Sequence, residues 1–441
     1  MSEHFERSGQ PASPQYDAEV PVLVFKAGNY PLHHGTAGII RSLGRAGVPV
    51  YAMVEDRFTP AAASRYLAGK FVWKAAGISR ECLFEGLAKV FASIGRRAIL
   101  LPTDDFAAAC IAENAPVLAK WFLFPPLPPG LPRRLANKRG LYSLCREHAI
   151  PCPEAAFPAC LGDVHEFISR AAFPVVMKAA ESQRTPAGMR STSIARSAEE
   201  LVALYERAGS APVVLQEYIP ETFAEDWIFH GYVNPRSGCA ISFTGRKLRS
   251  YPPFAGPTSA GISVRNPVLK AQSEALLQSI GYAGIMDLDY RFDRRDGRYK
   301  LLDFNPRIGA NFRMFENRAG IDVVRAMHLD LTGRPVPRAP AVEGRVFLVE
   351  NYELLSIPGY LRAGGLTARG WLKSIQGNRE FAWLALDDPA PFPAVCARLF
   401  LQACAKAIRA LIPRRRPVAA KQPRMVKTAA AGAGSDREVE R

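Results

Sequence analysis

The sequence predicts an α/β domain followed by α+β structure, and three observations carry that prediction. Near the N-terminus a buried-type strand, Val22–Lys26, is followed by the turn Gly28–Gly35, a helix over Thr36–Ala46 and a second strand over Val48–Val54. This is a β-α-β unit, and the right-handed crossover makes its strands parallel. A proline-dense stretch, Leu123–Pro132, then punctuates the chain as a domain connector does. Beyond it, strands and helices alternate up to two strand-like runs, Ile285–Phe292 and Arg298–Asn305, around a polar turn containing Asp296-Gly297. That dipeptide is a strong hairpin signal.

Composition bounds the alternatives. With 441 residues, 48% hydrophobic and 22% charged, the chain is long enough for two or three domains. No run reaches the roughly 18–20 apolar residues of a membrane span. Met1–Ala18 is polar and lacks an apolar h-region, so a disordered N-terminus over residues 1–19 is expected. Eight scattered cysteines without a Cys-x-x-Cys pair read as reduced, mostly buried thiols of a cytoplasmic protein. The seven histidines show no metal spacing. His33-His34, in the first βα turn, reads as surface loop, with a substrate-pocket wall as the alternative. A net charge of +16 suits nucleic acid, an anionic membrane or a polyanionic small substrate. Much of it follows Arg414-Arg415-Arg416, and no zinc-finger, RNP or basic-zipper pattern occurs, so no nucleic-acid partner is expected.

In chain order, the first turn is not Gly-x-Gly-x-x-Gly, so a dinucleotide fingerprint is absent. Ser64-Arg65-Tyr66 and Phe71–Trp73 fall in the next βα segment. Ala98–Thr103 is another buried strand, with Asp104-Asp105 at its carboxyl end, where ligands of open α/β sheets collect. Thr103 to Asp105 therefore either touch substrate, or Thr103 or Asp104 caps a helix. Ala136–Arg139 opens a helix through His148, closed by Ile150–Pro153. Phe173–Lys178 is a strand ending in lysine, Glu181–Thr192 a polar loop, Ala198–Ala208 a helix and Val213–Tyr218 a strand.

The register of the hairpin decides its use. A three-residue loop, Arg295-Asp296-Gly297, sets Asp289 opposite Asp303 and Asp287 opposite Asn305. Period-two alternation then gathers Asp287, Asp289, Asp303, Asn305 and Arg307 on one face. Opposed carboxylates repel unless a cation lies between them, and hard oxygen donors of this kind suit Mg²⁺. A two-residue turn would separate Asp289 from Asp303, and the competing reading of the face is a solvated one. Lys247 and Arg249, at alternate positions on a preceding strand, are expected to share a face. Tyr251–Gly261 is either an acceptor-side wall or a plain Pro-Gly connector. Arg345–Tyr352 reads as a strand, and Ala382-Trp383 with Asp387-Asp388-Pro389 as a short helix or loop. Pro391–Ile412 reads as an amphipathic helix with Val395, Cys396, Leu399, Phe400, Ile408 and Leu411 against Arg398, Lys406 and Arg409. Two placements stay open for it: packing on the core, or peripheral contact with an acidic membrane surface.

Five stretches taken together resemble the ATP-grasp superfamily, and most closely its carboxylate–amine ligase branch, which includes D-aspartate ligase-like and carbamoyl-phosphate-synthase-like proteins. They are Asn137-Lys138 before Ile150–Pro153, Pro174–Lys178, Gln216-Glu217-Tyr218-Ile219, Gly245–Arg249 with Tyr251-Pro252-Pro253, and Asp303–Arg307. The resemblance spans Val22 to Pro335. It implies a pre-ATP-grasp, Rossmann-like α/β domain over 20–125 and an ATP-grasp domain over 126–335. The latter comprises a lid-side α+β subdomain, 126–210, and a metal-side one, 211–335; a C-terminal extension, 336–412, and a basic disordered tail, 413–441, follow. It also implies ATP and Mg²⁺ (or Mn²⁺), with Lys138 and Lys178 on the phosphates and Gln216, Glu217, Tyr218 and Ile219 around adenine. Asp226, or its neighbour Glu225, would take the ribose; Asp289, Asp303 and Asn305 the metal; Arg307, Lys247 and Arg249 the reacting groups. Asp287 competes with Asp289 as first-strand ligand.

Two departures stand out. Asp303 sits where the superfamily usually has glutamate, and the flap loop Ser182–Thr192 has only Gly188, with Arg184 and Arg190 as basic members. The activity implied is formation of an amide from a small carboxylate and an amine through an acyl phosphate, with a homodimer as candidate assembly. The alternatives are the same acyl-phosphate step with bicarbonate or a thiol as reactant, and a nucleotide-binding sensor without turnover.

Overall fold

The computed structural model describes residues 14–73, 80–179, 192–209, 211–234, 236, 238–254 and 256–411. The expected flap loop with Arg184, Gly188 and Arg190 lies outside these residues except for Thr192, as do residues 1–13 and the basic tail from 412. The described residues divide into two units, one up to Arg398 and one from Leu399.

Among the described residues the first unit holds three sheets. Strands β1 (Val22–Phe25), β2 (Val50–Val54), β3 (Leu67–Val72), β4 (Ala98–Pro102) and β5 (Phe122–Leu123) form a parallel sheet in the order β3-β2-β1-β4-β5. Val22 to Phe25 are all fully buried, as continuous apolar runs in parallel sheets are. The helix His34–Arg45 covers this sheet with Ile39, Ile40 and Leu43, and Gly47 follows it at φ +77°, the left-handed position the sequence assigns to a glycine. At the end of β4, Asp104 caps the helix Asp105–Glu113 and also accepts from the N–H groups of Ala27 and Gly28.

Strands β6 (Ala155–Ala156), β7 (Val175–Ala179), β8 (Thr192–Ala195) and β9 (Val213–Glu217) form an antiparallel sheet in the order β6-β9-β7-β8. The helices Leu161–Arg170 and Ala198–Ala208 cover it through Val164, Phe167 and Leu201.

The third sheet has seven strands: β10 (Ala224–Asn234), β11 (Gly238–Ser250), β12 (Thr258–Ser263), β13 (Gly284–Asp293), β14 (Arg298–Asn305), β15 (Val346–Leu348) and β16 (Arg379–Phe381). Their order is β14-β13-β10-β11-β12-β15-β16. One face of β13, with Met286, Leu288 and Tyr290, packs with Leu269, Leu276, Leu141 and Leu144 of the helices Pro267–Ser279 and Lys138–Glu147. Alternation leaves Asp287 and Asp289 on the other face.

Four expectations change. The strand at Arg345–Tyr352 is only Val346–Leu348; a helix, Glu350–Arg362, begins at once, with Glu350 and Glu353 at its positive end. His33-His34 is not surface loop. His34 is buried, with its ring 5.9 Å from Phe347 and 6.3 Å from Trp383, and burial pushes its pKa down to about 4. The eight cysteines form no disulfide, but only Cys110 and Cys145 are buried, while Cys82, Cys160 and Cys396 are exposed. Finally, residues after 335 add β15 and β16 to the main sheet, which makes that segment part of the sheet's architecture.

Candidate functional site

The hairpin β13–β14 carries the acids, and its register is reached by an unexpected route. Asp289 does face Asp303, and Asp287 faces Asn305. The turn, however, has four residues, Arg294 to Gly297, because Asp293 pairs with Arg298. Gly297 takes the left-handed position at φ +69° and donates to the Asp293 carbonyl at 2.8 Å. A bulge at Leu302 then restores the offset, since Tyr290 pairs with Leu301 but Asp289 with Asp303. Without it, Leu302 would oppose Asp289 and Asp303 would turn toward the core.

Cations gather on this acidic face. Lys138, the first residue of its helix behind the Asn137 cap, forms an ion pair with Asp303. Lys247 on β11 lies 3.8 Å from Asp289. Burial works against the charge on Lys247, but Asp289, Asp226 and Asp287 outweigh it and hold its pKa above the usual lysine value. Burial, then the nearby ammonium of Lys178, pushes Lys138 down to about 8. Lys178 itself donates to Gln216 Oε1 at 2.8 Å. Lys138, Tyr142, Phe157, Lys178, Gln216 and Leu302 line one cleft.

Arg307 bridges elements. Its Nη2 donates to Asn305 Oδ1 at 3.0 Å, its Nε lies 3.3 Å from Asp105 Oδ1, and Nη1 is 3.8 Å from Asp287 Oδ2. Asp105 thus belongs to the site, while the capping role falls to Asp104. Asp287 is buried, and burial followed by its neighbour Asp289 raises its pKa to about 7.

The remaining candidates are placed as follows. Glu217 accepts from Arg295 at 2.6 Å and from Lys300 at 3.2 Å, so its carboxylate clasps the hairpin turn. Ile219 is buried beside the half-buried Tyr218. Asp226 pairs with Arg291 at 3.0 Å, and Glu225 with Arg294 at 2.7 Å. Arg249 leaves the set. A bulge at Leu248 puts Lys247 opposite Gly261 but Arg249 opposite Ala260, so the two face opposite ways. Arg249 is buried against Glu353 at 2.6 Å and donates to Ser374. Sequence reasoning missed Lys300, whose ammonium reaches Glu217, Asp293 and Asp296; its spacing of four from Asp296 across the turn was the available signal.

Among the described residues no three His, Cys, Asp or Glu side chains converge as a metal site. The donor set here is two carboxylates and an amide, all hard oxygens. The buried Asp287 Oδ1 has no hydrogen-bond partner, and lysines already neutralise both opposed aspartates. That chemistry fits Mg²⁺.

No family model matches the chain. Over 246 residues it is 26% identical to a D-aspartate ligase of Enterococcus faecium (strain Aus0004), a match covering 52% of this chain and 58% of the relative, so the chain spans under two thirds of that relative's length. The fold is shared with solved enzymes at low identity. An ADP complex of purK, N5-carboxyaminoimidazole ribonucleotide synthetase, matches at TM-score 0.56 and 12% identity over 78% of this chain and 86% of the other. The N5-carboxyaminoimidazole synthetase of Staphylococcus aureus matches at 0.56 and 10% over 75% and 81%. The biotin carboxylase domain of Hydrogenobacter thermophilus 2-oxoglutarate carboxylase, in complex with ADP, magnesium and bicarbonate, matches at 0.54 and 15% over 72% and 71%. The acidic hairpin and the lysine-lined cleft thus sit on a fold shared with these solved enzymes, in a chain similar in sequence to a D-aspartate ligase.

Proposed function

We propose that the chain is an ATP- and Mg²⁺-dependent ligase that activates a small carboxylate as an acyl phosphate and joins it to an amine. The observation that carries this reading is the convergence of Lys138, Lys247 and Arg307 on the acidic face of one hairpin, beside the cleft that Lys178 lines. The similarity to a D-aspartate ligase, and to enzymes solved with ADP, supports it. In this reading the parallel sheet is the pre-ATP-grasp, Rossmann-like domain, residues 20–125. Residues 126–210 and 211–335 are the two subdomains that hold the nucleotide.

Lys138 and Lys178 hold the α- and β-phosphates as compact point charges with three donors each. Backbone groups of Glu217, Tyr218 and Ile219, next to Gln216, read adenine, and Asp226 turns from Arg291 to the ribose hydroxyls. Asp289, Asp303 and Asn305 would hold Mg²⁺, with Asp287 the competing first-strand ligand. The ion would supply neutralisation of the phosphate charge. Arg307, fixed by Asn305 and Asp105, faces the transferring phosphoryl group, and Lys247 faces the substrate carboxylate. The carboxylate attacks the γ-phosphorus in line and ADP leaves; the amine then attacks the acyl carbon and phosphate leaves. No protein nucleophile is needed, because positioning and charge neutralisation supply the catalysis.

ADP release measured against a panel of amino acids and small carboxylates, with amine present, tests the reading. Release that depends on one class of acid is expected, and Asp303→Ala should abolish it. Tight ATP binding with no release for any acid would instead assign a nucleotide sensor.

A further inference from the structure

The strand that carries Asp303 also carries Lys300, and the bulge at Leu302 puts both side chains on one face. Lys300 is buried, and its ammonium meets three carboxylates: Asp293 at 2.9 Å, Asp296 at 3.1 Å and both oxygens of Glu217 at 3.2 Å. An ammonium has three donors, so this set can use all of them. Arg295 completes the cluster, reaching Glu217 and Asp293 at 2.6 Å each. Burial opposes the charge on Lys300, but the surrounding carboxylates prevail and raise its pKa above the ordinary lysine value.

Asp293 and Asp296 belong to the same hairpin as Lys300, and Glu217 does not. Glu217 is the last residue of β9 in the four-stranded sheet, where it pairs with Val175 and donates its N–H to the Glu154 carbonyl at 2.8 Å. Tyr218 and Ile219 follow it directly. The clasp on Glu217 therefore joins the end of one sheet to the acidic hairpin of another. A nucleotide held as proposed above spans this junction, with adenine against residues 217–219 and the phosphates over Asp289 and Asp303. Its affinity depends on the spacing of the two halves, because the second half binds at high effective concentration only where the span matches.

We infer that Lys300 is a positioning residue for ATP: by gripping Glu217 it fixes the adenine-reading segment at a set distance from the acidic face of its own strand. The inference rests on the nucleotide-binding part of the reading above and does not require turnover.

Binding of ATP and of inorganic tripolyphosphate, each with Mg²⁺, to the full-length protein tests it. Tripolyphosphate engages the phosphate half alone, so a lost span weakens ATP and spares tripolyphosphate. Lys300→Met keeps the length of the side chain and removes its charge. It should weaken ATP on the order of tenfold, as loss of a supporting contact does, and leave tripolyphosphate within about twofold. Lys300→Arg should recover most of the ATP affinity. Glu217→Gln removes the charge at the other end of the clasp; it should give the same split, and it decides the matter if Lys300→Met misfolds. Unchanged ATP affinity in the charge-removing variants, or a parallel loss for both ligands, would overturn the inference. The expected split in a protein that releases no ADP with any acid would support the role of Lys300 and sink the ligase reading.

Discussion

Asp287 and Asp289 sit two positions apart on one strand face, yet their surroundings differ. Asp289 is part-exposed beside Lys247, whereas Asp287 is buried with Oδ1 unpartnered. Because burial, then Asp289, raises the folded-state pKa of Asp287 to about 7, the folded protein binds a proton there that the unfolded chain releases near pH 4. Its contribution is therefore fully present at low pH and lost as pH rises through 7. In chelator, Asp287→Asn should be more stable than the parent protein at pH 8, with the difference closing toward pH 4. Urea midpoints that run parallel over this range would show that Asp287 is not so perturbed. Arg249 makes a separate case. Its ion pair with Glu353 is buried on both sides, and removing one partner of such a pair costs about 3–5 kcal/mol. Arg249→Ala should lower the urea midpoint accordingly, and Arg249→Met with Glu353→Leu should recover most of the loss. A variant that kept its stability and lost only turnover would return Arg249 to the substrate-facing set. Alternation put Asp303 and Arg307 on one face of the hairpin, and the resemblance to the ATP-grasp superfamily pointed to Lys138 and Lys178 as candidates. They could not separate Lys247 from Arg249, because the bulge at Leu248 that turns one away from the other is set by pairing with β12.

The same limit governs the hairpin as an element. Alternation and Asp296-Gly297 located both strands to within a residue, and the pairing of Asp289 with Asp303 follows from a loop of three. The chain instead combines a four-residue turn with one extra residue at Leu302, two departures that cancel in register. Nothing local marks Leu302 as bulged; its place is fixed by Tyr290 and Leu301 packing in the core and by the acids facing out. The strand Val346–Leu348 shows the complementary failure, since a β-rich run continued into residues whose acidic first turn favours a helix. The turn itself is open to a direct test. Gly297 is held at φ +69°, where a side chain costs about 1–2 kcal/mol and a β-branched one most. Gly297→Val should destabilise by about 2 kcal/mol in urea, and Gly297→Asn by less. Equal midpoints for the parent and the valine variant would mean the turn is not held in this form.

Across the first unit as a whole, buried arginines tie the early chain to residues beyond 335. Arg41, on the first helix, reaches Asp388 at 2.9 Å and the carbonyls of Ala382 and Trp383. Arg313 pairs with Glu380 at 3.1 Å, and Arg249 with Glu353. Arg41–Asp388 and Arg249–Glu353 are buried on both sides and Arg313 is buried beside the part-exposed Glu380, so loss of the acid would leave an uncompensated arginine in the interior. Loss of β15 would also expose the edge of β12. The sequence set this segment apart because the superfamily resemblance fades at Pro335, and long-range ion pairs leave no local pattern to read. Two truncations separate the alternatives. A chain ending at Arg398 keeps every one of these pairs and should retain the thermal midpoint and ADP release of the full protein. A chain ending at Pro335 removes Glu353, Glu380 and Asp388 together, and at about 3–5 kcal/mol per broken pair the summed penalty is comparable to the roughly 5–15 kcal/mol that holds most domains folded. It should be recovered only as insoluble material. A soluble, cooperatively unfolding protein of residues 1–335 would show that the segment is an appendage and that the buried arginines find other partners.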